Sequence, residues 1–233
     1  MNTPLFKEVE DHITYKNKSN KIIPSVTTIL KIINKKELLY WANILGIKGK
    51  YVQKELESSA YIGTVTHKLI EAYVSKNILY DIDTMRIGNL AERICIKRAF
   101  ASFLKYYIRE RNNIEVINTE LSLSGERYGG TIDLLDKYNK KITITDYKTS
   151  SSFYPAMFLQ LAGYDLLLRE TKKIKTEQYK IILLNKKNGD IAKIKICNDK
   201  KEMTTYRDCF KKLVEFYYDW FYINQAYWNR DIN

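Results

Sequence analysis

Cysteine, proline, histidine and glycine are all scarce in this 233-residue chain, at three, three, two and nine residues. Each scarcity excludes something. Cys95, Cys197 and Cys209 are far apart and form no CxxC pair. That leaves no zinc signature and no iron–sulfur cluster, and fits a reducing compartment where thiols serve as small apolar groups. So few prolines and glycines provide no linker, and one domain over residues 1–233 is expected. No apolar run is long enough to span a bilayer, so no membrane association is expected. Met1 to Glu10 lacks a basic segment followed by an apolar one, which reads as no secretory signal and a cytoplasmic protein. There is no GxxxxGK[ST] phosphate loop, so a helicase would have to be a separate partner.

Positive charge is plentiful. Lys and Arg number 39 against 27 Asp and Glu, a net charge of +12. Ten lysines against four acids lie between Glu170 and Lys201. Such an excess attracts polyanions through counterion release. The 19 tyrosines suit stacking on unpaired bases, although a Lys-, Ile-, Asn- and Tyr-rich composition explains both features equally well.

The hydropathy pattern changes midway. Up to about residue 110 it predicts helices: one capped by Ser25, one through Leu38–Gly46, one from Ser59 to about Ser75, and one from about Arg86 to Glu110. Glu115–Leu123 then alternates as a strand, with Ile117, Thr119, Leu121 and Leu123 on one side. Thr131–Leu135 and Lys141–Lys148 make two more strands, followed by a helix from about Tyr154 to Glu170. Strands near Gln178–Asn185 and Ile191–Cys197 flank a hairpin at Asn188-Gly189, and a helix from about Glu202 to Trp228 closes the chain. The expected fold class is α/β (α+β): a central mixed sheet flanked by helices, with a helical N-terminal extension of about 110 residues.

In Ile142-Thr143-Ile144-Thr145-Asp146-Tyr147-Lys148, alternation places Ile142, Ile144, Asp146 and Lys148 on one face. Asp133 lies in the otherwise apolar Ile132–Leu135, where an unpaired carboxylate costs several kcal/mol to bury. Two carboxylates on neighbouring strands beside a lysine suit phosphodiester hydrolysis. The acids hold one or two Mg²⁺ or Mn²⁺ ions, and the lysine orients water and balances transition-state charge. A buried Asp–Lys ion pair is the competing reading of an isolated D-x-K.

The surroundings favour the chemical reading. Gly63-Thr64-Val65-Thr66-His67 on a helix, Glu120, Gly130-Thr131-Ile132-Asp133, Asp146-Tyr147-Lys148 and Gln160-Leu161-Ala162-Gly163-Tyr164 follow in order. Over residues 60–165 this series resembles the PD-(D/E)xK nuclease superfamily in its RecB-like branch, which includes CRISPR-associated adaptation and mitochondrial genome maintenance exonucleases. The resemblance implies a restriction-endonuclease-like core. By the same resemblance Asp133, Asp146 and the Tyr147 carbonyl bind metal, Lys148 is catalytic, and His67 joins the metal shell. Glu120 binds a second ion or supports the first, and Gln160 and Tyr164 position the nucleophile or the DNA backbone. Glu71, one turn after His67, either orients it or is solvated. Ile132 replaces the eponymous proline. Pro24–Leu30 and Trp41-Ala42 resemble segments that precede the core in phage and mitochondrial members, where they either wall a path for the strand or cover the sheet. The implied activity is metal-dependent DNA cleavage, foremost an exonuclease preferring single strands in recombination, repair or replication, of phage type. An endonuclease, or a silent DNA-binding or regulatory module, are the alternatives. A helicase or recombination protein is the implied partner, and oligomeric state is not encoded legibly.

Overall fold

The computed structural model describes residues 14–33, 36–85 and 87–230. Met1 to Glu10, His12 and Arg86 lie outside them. A two-stranded hairpin, β1 (Tyr15–Lys16) and β2 (Ile22–Ile23), opens the described chain. Helices α1 (Val26–Leu30), α2 (Lys36–Ile47), α3 (Val52–Lys76) and α4 (Leu90–Glu110) follow. Then come β3 (Ile114–Ser124), β4 (Gly129–Tyr138), β5 (Lys141–Lys148), α5 (Pro155–Thr171), β6 (Gln178–Leu183), β7 (Lys193–Cys197) and α6 (Lys200–Arg230). No helix among the described residues is long and apolar enough to cross a membrane.

Local chemistry accounts for several boundaries. Ser25 caps α1 by accepting from the Thr28 N–H. Helix α4 starts at Leu90, because Asn89 and Glu92 form a reciprocal capping box that satisfies two orphan donors. Pro155 sits in the first turn of α5, where its missing N–H costs nothing.

The five strands form one sheet in the order β3-β4-β5-β6-β7. All neighbours are antiparallel except β5 and β6, which α5 connects as a parallel crossover. Helices α1, α5 and α6 cover one face, with Val26, Ile29, Leu161, Leu168 and Phe210 against Ile132, Ile144 and Ile181. Helices α3 and α4 cover the other, with Val65, Leu69, Ile96 and Phe103 against Leu134, Tyr147 and Ile182. The predicted mixed sheet between helical layers is the observed architecture.

Four expectations need correction. Strand β3 does not alternate throughout: its register shifts between Val116 and Asn118, and Ile117 is exposed. Helix α3 begins seven residues before Ser59, at Val52. Cys209 is exposed on α6 rather than buried. Lys180, counted among the polyanion-attracting lysines, is fully enclosed and paired with Asp136 at 2.8 Å. Helix α1 covers the sheet instead of walling a path, since Val26 and Ile29 are wholly buried.

Candidate active site

The β4–β5 ladder runs from Tyr138–Lys141 to Leu134–Thr145 and stops. Strand β5 stays paired with β6 as far as Lys148–Leu183. Past Leu134 and Thr145, β4 and β5 fork. The Tyr147 N–H, left without a ladder partner on that side, donates to Oδ2 of Asp133 at 2.9 Å. A side-chain carboxylate thus completes the backbone hydrogen bonding where the sheet opens.

Strand β3 is irregular at the same level. Thr119 lies opposite Leu134 and Leu121 opposite Ile132, while Glu120 between them has a φ of 46°. A non-glycine residue held there costs on the order of 1–3 kcal/mol. The side chains change face across this point. Leu134 belongs to the α3 side, whereas Leu121 and Ile132 pack on the α5 side. Residues two apart on a regular strand would share a face. The break brings Glu120, Asp133 and His67 together, with one ligand atom from each within 4.8 Å of the others.

His67 arrives from α3, anchored by the buried Val65, Leu69 and Ile70. Its Nδ1 lies 3.4 Å from Asp133 Oδ2 and its Nε2 2.9 Å from the Tyr147 carbonyl oxygen. Burial opposes a charge on the ring, but Asp133 outweighs it and raises the His67 pKa to about 9. Burial also works to raise Asp133, yet His67 and Lys148 hold it below the ordinary carboxylate range. Glu120 is pushed up to about 8 by burial and then by the charge of Asp133, which His67 only partly offsets.

Asp146 and Lys148 face α5. Lys148 Nζ is 2.9 Å from Asp146 Oδ1 and 2.8 Å from Oδ2. Only the first contact has hydrogen-bond geometry, so the enclosed Oδ2 is held by charge alone. Gln160 Nε2 donates to Asp146 Oδ1 at 3.2 Å and to the Tyr164 hydroxyl at 2.9 Å. Burial pushes Asp146 up to about 6 despite the ammonium. For Lys148, burial is outweighed by Asp146 and Asp133, and its pKa rises. The two shifts pull the pair in opposite senses. The charged lysine governs, because two carboxylates share it.

Gly130 and Tyr164 belong to one contact. A Cβ on Gly130 would fall 2.6 Å from the Tyr164 ring, and one on Gly129 would fall 2.4 Å from Tyr15. Gly130→Ala is therefore expected to displace Tyr164 and loosen Gln160 from Asp146, destabilising the protein by about 1–3 kcal/mol. Thermal unfolding checks the stability; an unchanged midpoint would show that the ring can yield freely.

All eight predicted positions lie at the fork, in two groups. His67, Glu120, Asp133 and the Tyr147 carbonyl gather on the α3 side. Asp146, Lys148, Gln160 and Tyr164 gather on the α5 side. Asp146 stands outside the first cluster, with its oxygens facing Lys148 and Gln160. Glu71 lines the same concavity as His67 and Glu120, but both ring nitrogens of His67 already face Asp133 and Tyr147. Sequence reasoning missed Tyr15, which lies over Gly129, bonds Thr131 Oγ1 at 2.8 Å and feels the charge of Glu120. The turn-forming Asn17-Lys18-Ser19-Asn20 was the one signal for its hairpin.

The α3-side group offers two carboxylates, a backbone carbonyl and an imidazole. This oxygen-rich set with one nitrogen fits Mg²⁺ or Mn²⁺. The enclosed, unbonded Asp146 Oδ2 is a further acceptor beside it.

A family model described as the PD-(D/E)XK nuclease superfamily matches residues 38–219, a span that contains every one of these side chains. No curated protein sequence matches the chain. Two solved structures are similar at low identity. A phage-related exonuclease from Haemophilus somnus 129PT shares 11% identity over 70% of this chain and 84% of its own, with a TM-score of 0.34. LHK-Exo in complex with dAMP shares 13% identity over 72% of this chain and 91% of its own, also with a TM-score of 0.34. The chain belongs to the PD-(D/E)XK nuclease superfamily, and its sheet and helical layers are the restriction-endonuclease-like fold of that superfamily.

Proposed function

We propose that this nuclease hydrolyses DNA phosphodiester bonds with the help of Mg²⁺ or Mn²⁺, acts on DNA ends with a preference for single strands, and serves recombination, repair or replication in the manner of phage exonucleases. The observation that carries the reading is the convergence of Asp133, Asp146 and Lys148 where β4 and β5 part. Asp133, Glu120, His67 and the Tyr147 carbonyl would hold the metal. A bound divalent ion supplies charge neutralisation at the phosphate and acidifies a water. Lys148, aimed by Asp146, would place its ammonium against the non-bridging phosphate oxygens and stabilise the charge that grows there in the transition state. Gln160, tied to the Tyr164 hydroxyl, would keep the Asp146 carboxylate from rotating. The net charge of +12 supports a polyanionic substrate. The preference for ends rests on the ordered motif series and its resemblance to the RecB-like branch. A helicase or recombination protein would present those ends.

The test is cleavage of linear single-stranded, linear duplex and covalently closed circular DNA, with Mg²⁺, with Mn²⁺ and with EDTA. Loss of linear substrates alone, in either metal and not in EDTA, is the expected outcome. Nicking of circles would replace the exonuclease reading with an endonuclease on the same core.

A further inference from the structure

Helix α6 is longer than the core it serves. Its 31 residues extend about 46 Å. Met203, Phe210 and Val214 are buried, and Tyr218 is the last residue packed against the sheet-face cluster. The Tyr218 hydroxyl donates to the Arg127 carbonyl, and the Arg127 guanidinium lies 4.7 Å over its ring. Beyond that anchor, Asp219–Arg230 carries the helix on for about 18 Å.

The projecting end is strongly apolar. Phe216, Trp220, Phe221, Tyr222 and Ile223 are each half-exposed or more, between 50% and 75%. Phe216 stacks on Trp220, and Tyr217 on Phe221, so these rings are ordered against one another and not against the core. Leu213, Phe216, Trp220, Ile223 and Tyr227 recur at spacings of three, four, three and four. This 3.5-residue repeat is that of a seam buried between two helices. No Lys or Arg occurs from Leu213 to Asn229, and Asp219 adds a negative charge. A nucleic acid needs cations here, and a membrane-surface helix needs Lys or Arg on its polar face. Both are disfavoured.

We propose that the α6 projection is a self-association surface, and that its occupant is the same helix of a second copy of this chain. A seam of this period is complementary to its own copy, so a two-fold pairing buries the same residues on both partners. The exposed apolar area offered, on the order of 600 Å² taking aromatic side chains at their usual size, exceeds what monomers ordinarily leave bare. It approaches the roughly 800 Å² per partner of a standard interface. The pairing leaves the fork free, because the Arg127 anchor separates the seam from β4 and β5.

Sedimentation velocity on the full chain across the micromolar range is the test, with Trp220→Glu and Ile223→Glu as separate variants. The expected result is a concentration-dependent doubling of mass for the wild type. Each variant should stay monomeric, with unchanged circular dichroism and melting temperature because both positions face solvent. A wild type that is monomeric throughout would overturn the proposal, as would a variant that associates like the wild type. Loss of single-stranded DNA binding in Trp220→Glu without any mass change would assign the surface to nucleic acid instead.

Discussion

Lys148→Ala is expected to lower the single-turnover rate of DNA cleavage by at least about 10²–10³-fold, the range found when one preorganised donor to a developing oxyanion is removed. DNA binding should change little, since one of 39 basic residues is lost. Two effects act together in this variant. The ammonium that would face the phosphate disappears, and Asp146 loses the cation 2.8 Å from its enclosed oxygen. Asp146 is already raised to about 6 by burial. Without Lys148 its pKa climbs further, and the carboxylate is protonated over more of the neutral range. Raising the pH should therefore recover part of the Asp146 charge but not the lysine's own contribution. Lys148→Arg keeps a cation with a different shape and is expected to restore binding geometry at Asp146 more than rate. A wild-type rate in Lys148→Ala, measured by quench flow at saturating enzyme, would remove this lysine from the reaction.

The second large effect concerns stability and lies away from the fork. Asp136 and Lys180 are both fully enclosed on the α3–α4 face of the sheet, 2.8 Å apart. Asp136 also accepts from Thr145 Oγ1 at 2.8 Å, and the Lys180 ammonium sits 3.9 Å over the Tyr138 ring. Burial pushes Asp136 up and Lys180 down, each only partly countered by its partner. Both groups sit closer to neutrality than they would in water, as a desolvated pair should. Removing one partner strands the other. Lys180→Met and Asp136→Leu are each expected to cost about 3–5 kcal/mol, a fall in melting temperature on the order of 10 °C for a chain of this size. The double variant should cost less than either single one, because no charge is left buried alone. A strictly additive double mutant would show that the pair is not coupled.

Much of the site was legible because its chemistry is carried by local spacing. Asp146 and Lys148 share a strand face, Gln160 and Tyr164 a helix face, and each relation follows from the period of one element. The glycine of Gly130-x-x-Asp133 has its reason in another element, since the Tyr164 ring occupies the space of its Cβ. No single-strand pattern reveals that. Glu120 was placed by motif order alone. Its left-handed backbone violates the alternation used to predict β3, and the break is what turns its carboxylate toward Asp133. Lys180 was misread because its strand looks like part of a basic run. Only the pairing of β6 with β5, and of β5 with β4, brings Asp136 beside it. The β1–β2 hairpin has two residues per strand, too few to show a period.

The account rests on the fork between β4 and β5 being the place where a divalent ion and the DNA meet. The most direct test follows cleavage of linear DNA by the wild type and by Asp133→Asn, each with Mg²⁺ and with EDTA. Asp133→Asn keeps an oxygen able to accept from Tyr147 but removes the charge that faces His67. The account predicts cleavage only by the wild type in Mg²⁺, with Asp133→Asn inactive though folded and able to bind DNA. Cleavage that survives EDTA, or an Asp133→Asn variant as fast as the wild type, would contradict it.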